Sequence, residues 1–263
     1  MRKFSFLAVL ALAAWAPLAV QAAIQSERVT YRDGDEELRG YLTWDDAVQG
    51  RRPGVLVAHE WWGLDDYVRN RAEAFAKLGY VAFALDLYGE GRTTDHPDET
   101  GAWSKEIQSN TELWQRRARA GLEVLRKHRL ADARRIAAAG YCFGGGTVMQ
   151  LAYGGADLRA VVSFHGPLPP PSPAQAKAIK GAIFAAHGSQ DAFAPHERVQ
   201  AFQTALDGAG VDWFMMVFGN ARHSFTNPGA DARGLDNLKY DEKADKRSWA
   251  AATRFLEERL GGC

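Results

Sequence analysis

Residues 135–153 read RIAAAGYCFGGGTVMQLAY, and the change of periodicity inside this stretch decides how the rest of the chain folds. Residues 136–139 form a short apolar run suited to a buried strand, whereas Val148, Leu151 and Ala152 recur at helical spacing. The glycines fall where the period changes. Gly140 stands two residues before Cys142 and Gly144 two after it, a G-x-C-x-G pattern with sulfur in place of the hydroxyl of the G-x-S-x-G nucleophile elbow. Such a turn strains its central residue and needs flanking positions without side chains, so that strand and helix can close on each other. A helix starting just behind the sulfur supplies unpaired N–H groups and a positive dipole end, both of which favour thiolate. The alternative is a buried structural cysteine beside a tight turn, since free cysteine is among the most buried residue types.

Outward from the elbow, apolar strands alternate with amphipathic helices. Residues 54–58 are a continuous apolar run of the kind found in strands covered on both faces, residues 81–85 read as the next buried strand, and residues 159–164, 182–186 and 211–218 read as the strands that follow. Between them, Val68, Ala72, Phe75, Ala76 and Leu78 form an apolar helical stripe that Asp65 or Asp66 caps and Gly79 stops. One helical region is expected over residues 102–128, another over 197–206 with Pro195 in its first turn, and a last one over 238–260. Residues 27–31 and 38–44 read as a hairpin around Asp33, Gly34 and Asp35. The expected fold class is therefore α/β: a mostly parallel central sheet with helices on both faces and an antiparallel N-terminal edge hairpin.

The chain has 263 residues, 46% of them hydrophobic, enough for one globular core, and no composition break after residue 23. Residues 23–263 are expected to form a single domain. Before it, Arg2 and Lys3 precede the apolar run 4–20, and Val20, Gln21 and Ala22 give a small-residue cleavage pattern. Residues 1–22 are read as a secretory signal peptide, with a periplasmic or secreted mature protein; an uncleaved membrane anchor is the alternative. Lysine plus arginine and aspartate plus glutamate both number 32, and loss of Arg2 and Lys3 leaves a slightly acidic chain. That balance argues against nucleic acid or an anionic membrane as partner. Neither the two cysteines nor the histidines have metal-ligand spacing, so no metal and no cofactor are expected. Cys263, the last residue, is expected to be a free thiol, and a monomer is the default assembly.

Chain order supplies the partners of Cys142. Asp191 follows the strand ending at Ala186, and His223 follows the strand ending at Phe218, the order of acid and then histidine in α/β-hydrolases. Cys142 is then the nucleophile, His223 its base, and Asp191 the group that fixes the imidazole. The backbone N–H groups of Phe143 and Trp61 are the expected oxyanion hole. Four motifs carry a family resemblance: His59-Glu60-Trp61-Trp62-Gly63, Asp86-Leu87-Tyr88, Gly140-Tyr141-Cys142-Phe143-Gly144-Gly145 and Arg222-His223-Ser224-Phe225. With them the chain resembles the dienelactone hydrolase family of the α/β-hydrolases. The resemblance implies an esterase-type hydrolase, carboxymethylenebutenolidase-like, acting on a cyclic enol-lactone through a Cys, His, Asp triad. It also implies that Glu60 pairs with the resting thiol until substrate displaces it. Arginines hold the substrate carboxylate in that family; Asn227 stands where one of them belongs, and Arg92 and Arg222 are the expected substitutes. Trp61, Trp62 and Tyr88 are expected on the pocket rim, and His59 and His165 end strands on the same rim, with a hydrogen-bonded structural histidine as the alternative for both. The readings from other classes are a catalytically idle binding module on the same fold and thiol redox chemistry between Cys142 and Cys263.

Overall fold

The protein is described here by a computed structural model covering residues 23–262; the expected signal segment and Cys263 lie outside the described residues. β1 (Ile24–Asp33) and β2 (Glu36–Asp45) pair antiparallel, closing on Gly34 at a φ of 61°. β3 (Arg52–Ala58), β4 (Val81–Leu85), β5 (Ala131–Tyr141), β6 (Ala160–Phe164), β7 (Ala182–Gly188) and β8 (Trp213–Phe218) follow. They form one eight-stranded sheet in the order β1-β2-β4-β3-β5-β6-β7-β8. β2 meets β4 antiparallel, and every later pairing is parallel. This is the expected α/β sheet with an antiparallel edge.

Helices cover both faces because successive strand residues point opposite ways. Leu56 and Ala58 of β3 join a core roofed by α3 (Thr111–Lys127), α4 (Phe143–Tyr153) and α6 (His196–Ala209). Val55 and Val57 join the opposite core, roofed by α1 (Asp66–Lys77) and α7 (Glu242–Leu260). Asp65 caps α1 by accepting from Val68 N, and Asp241 caps α7. Such caps are worth about 1 kcal/mol each.

Three helix boundaries differ from expectation. The single helix read over residues 102–128 is two, α2 (Pro97–Ser109) and α3, because Asn110 leaves helical geometry and caps α3 by accepting from Leu113 N. Pro195 precedes α6 as its N-cap rather than entering its first turn. The last helix starts at Glu242, after a loop, rather than near Leu238. The short α5 (Pro173–Ala178) ends the proline-rich loop.

Candidate active site

The parallel strands β3, β5, β7 and β8 release their chains at the same edge, where a crevice between strand ends is open to ligands. Cys142 sits between β5 and α4 with φ 54° and ψ −121°. A left-handed conformation costs a non-glycine residue about 1–3 kcal/mol, so it persists only where neighbours impose it. Here Cys142 N donates to Phe164 O at 3.0 Å and to His165 Nδ1 at 3.1 Å, and its carbonyl accepts from Gly145 N at 2.8 Å. The flanking glycines are required by contact: a Cβ at Gly140 would overlap the Gly144 carbonyl, and one at Gly144 the carbonyl of Ala58. The residue is 8% exposed and lines the cavity above it.

His223 leaves the loop after β8 and lies against the cysteine. Its Nδ1 is 2.8 Å from Asp191 Oδ2, and Asp191 Oδ1 accepts from Phe193 N at 2.9 Å. The carboxylate therefore fixes the tautomer, holding Nδ1–H and leaving the far nitrogen for Cys142, whose charge acts on the ring. Burial alone would strip the ring of its proton. The charge of Cys142 and the Asp191 hydrogen bond outweigh it, and the His223 pKa stands well above that of free imidazole. The sequence-expected Cys142, His223 and Asp191 are thus one connected chain of side chains.

A cavity of about 500 Å³ opens over Cys142 and His223. Trp61, Phe143, Pro167, Phe193 and Leu238 give it apolar walls, and α2 gives it a polar one through Ser104, Lys105, Gln108 and Ser109. These α2 positions share a helix face by their three- and four-residue spacing. Phe143 is clasped between Tyr88 and Trp114, with ring centroids 5.6 and 5.4 Å away and planes nearly parallel. That clasp fixes the first residue of α4, whose N–H has no acceptor within the helix. Tyr88 Oη donates to Trp61 O at 3.0 Å, anchoring the loop that carries the second expected oxyanion donor. Tyr88 is thus a buried support under the rim and not a lining residue.

Other expected substrate contacts are engaged elsewhere. Trp62 is buried outside this cavity, under the Arg233 guanidinium at 4.1 Å. Arg92 donates to Tyr88 O and Gly89 O and lies 3.7 Å from Glu36, because the turn after β4 presents carbonyls to it. Arg222 donates to Asp236 O at 2.7 Å. Asn227 is 4% exposed; its Nδ2 donates to Glu60 Oε2 at 2.5 Å and its Oδ1 accepts from Gly229 N at 2.8 Å. None of the four lines the cavity over Cys142. Glu60 is buried, and its other oxygen accepts from Ser224 Oγ at 2.7 Å. Its carboxylate therefore ties down the segment following His223, whereas the thiol's partner is His223 itself. Burial raises the Glu60 pKa, and the Ser224 and Asn227 donors pull it back.

Sequence reasoning passed over Thr226, Lys105 and the function of Ser224, and left His165 as a rim histidine. Ser224 stood inside a quoted motif. Lys105 gave no signal, because an exposed lysine on an amphipathic helix has the pattern of an ordinary solvated face.

Comparisons with known proteins bear on this arrangement. The family model described as "Dienelactone hydrolase family" matches residues 38–260. Protein usf of Aquifex pyrophilus is 29% identical over 239 residues, covering 89% of this chain and 99% of its own. Among solved structures, a dienelactone hydrolase-like promiscuous phosphotriesterase from metagenomic libraries superposes with a TM-score of 0.89 at 36% identity, covering 91% of this chain and 100% of its own. The structure of m3DLH gives 0.88 at 38% identity with the same coverage.

Proposed function

The chain belongs to the dienelactone hydrolase family, and from that premise we propose that it is an exported cysteine hydrolase cleaving a small carboxylic ester or lactone through a thioacyl-enzyme. The observation that carries the mechanism is the line from Asp191 through His223 to Cys142 on the floor of the cavity.

Sulfur of Cys142 attacks the substrate carbonyl carbon, whose π electrons move to oxygen. The N–H groups of Phe143 and Trp61 receive that developing negative charge. As the tetrahedral intermediate collapses, the C–O bond breaks and the His223 imidazolium gives its proton to the leaving alkoxide. Neutral His223 then takes a proton from water, the resulting hydroxide attacks the thioester, and sulfur leaves as thiolate beside the re-formed imidazolium. Asp191 holds the ring in the tautomer both steps need, and Glu60 holds the loop through Ser224 and Asn227. In a lactone the leaving alkoxide stays attached to the acyl group, and ring opening gives a hydroxy or enol acid.

Lys105 supports a preference for substrates with an anionic arm. It is the one lysine or arginine among the described residues lining the cavity, none of which is acidic. Export is proposed from the Arg2, Lys3 and apolar 4–20 pattern; N-terminal sequencing of the protein recovered from a periplasmic extract checks it, with Ala23 as the expected first residue. The activity is tested with purified protein on a panel of short activated esters, lactones and, given the phosphotriesterase relative, one phosphotriester. Hydrolysis that disappears in Cys142→Ala supports the reading; full hydrolysis by that variant rejects Cys142 as the nucleophile, and no hydrolysis of any substrate by the wild type favours an idle site.

A further inference from the structure

Resting on the assignment of Cys142 and His223 as nucleophile and base, we propose that His165 is a positioning residue that registers one to the other. One nitrogen of its ring is hydrogen-bonded to the nucleophile's backbone, and the other to the loop that carries His223.

His165 follows β6, is fully buried, and has a φ of 40°, so its placement is itself strained. A backbone N–H only donates, so the 3.1 Å contact from Cys142 N makes His165 Nδ1 an acceptor. The proton of the neutral ring is then on Nε2, which donates to Thr226 Oγ1 at 2.7 Å. Thr226 lies three residues beyond His223 on the same loop. Its oxygen is also 2.5 Å from Tyr67 Oη, which accepts from Arg71 Nε at 3.2 Å, and Arg71 holds both the Thr226 carbonyl and Asp245. The far end of the bridge is therefore fixed to α1 and α7.

The groups around the ring keep it in this state. His223 packs on it at 5.3 Å, Phe225 at 5.1 Å and Tyr141 at 6.2 Å, centroid to centroid. Burial comes first in lowering its proton affinity, followed by the charges of His223 and Arg71, and the result is a pKa well below the ordinary histidine value. Protonation would also put a hydrogen on Nδ1 facing the Cys142 N–H. His223 and His165 thus divide the roles: the first holds a proton for chemistry, and the second stays neutral and fixes the distance between elbow and loop. Displacing a reacting group by as little as 1 Å costs about a hundredfold in rate; loss of one end of this bridge is expected to cost about tenfold or more.

The test is a double-mutant cycle of His165→Asn and Thr226→Val, with Thr226→Ser as the conservative control. Each of the first two is expected to lower kcat at least about tenfold with KM little changed, the double variant to be no worse than either, and Thr226→Ser to retain wild-type kcat. The rate of thiol alkylation at Cys142 is expected to fall in parallel. Additive losses, or wild-type kcat in Thr226→Val, overturn the proposal. If His165→Asn does not fold, the Thr226→Val and Thr226→Ser pair decides the matter alone. Cys142→Ala, assayed alongside, separates the two ideas: its full activity would reject the nucleophile, whatever the Thr226 variants do.

Discussion

A histidine that gives one ring proton to a buried carboxylate and faces a cysteine with its other nitrogen holds its charge more tightly than free imidazole. For His223 the opposing influence is burial, and Cys142 and Asp191 overcome it. The imidazolium needed to protonate the leaving group therefore persists above the free-histidine value of 6.5, and activity is expected to fall only on the alkaline side of neutrality. Asp191→Asn removes two of the influences that hold the proton on. Its alkaline limb is expected at lower pH than in the wild type, with kcat reduced about 100-fold, and paired pH–rate profiles measure both. The same proton contributes stability that is fully present below 6.5 and lost as pH rises through the raised folded value. Thermal midpoints that stay flat across that alkaline range would contradict the assignment.

α2 shows best what the sequence carried and what it did not. β3, β4 and β7 were legible because each carries an unbroken apolar run, and the elbow was legible because glycine is obligatory at Gly140 and Gly144, where backbones meet. The break between α2 and α3 was not, since Asn110 fits an exposed helix position as well as a cap until its side chain is seen on Leu113 N. Arginine direction was equally hidden: Arg92 and Arg222 stand near the motif residues in sequence, yet carbonyls of local turns claim them. The α2 wall instead offers Lys105 to the cavity. An exposed cation in a cleft contributes about 0.2–1 kcal/mol to an ion pair. Lys105→Met is accordingly expected to lower kcat/KM about two- to fivefold for an ester with a carboxylate arm and to leave its neutral methyl analogue unchanged. Equal losses on both esters would assign Lys105 to the wall's shape instead.

Across the whole molecule, the site depends on loops from five strand ends, those of β3, β5, β6, β7 and β8, being held by groups far from the thiol. Arg71 is the junction: it pairs with Asp245 of α7 at 2.5 Å, donates to Thr226 O, and stacks over Tyr67, Tyr141 and Trp249 at 5.2–5.6 Å. Removing one member of a pair this buried leaves the other charge uncompensated, which costs about 3–5 kcal/mol. Arg71→Met is expected to lose that much in urea denaturation, and to lose activity under conditions where it is still folded, because the Thr226 anchor goes with it. Tyr141 stood inside a quoted motif and His165 at a strand end, but nothing in the sequence linked them to Arg71; the members come from α1, β5, the loop after β6, α7 and the His223 loop, and only the folded sheet brings them together. The central claim concerns the sulfur at its middle, and the most direct measurement is the mass of the protein quenched in acid within the first turnovers on a short activated ester. One acyl group is expected, mapped by peptide analysis to Cys142 and absent from Cys142→Ala; turnover with no acyl adduct on Cys142, or an adduct on another residue, would contradict the account.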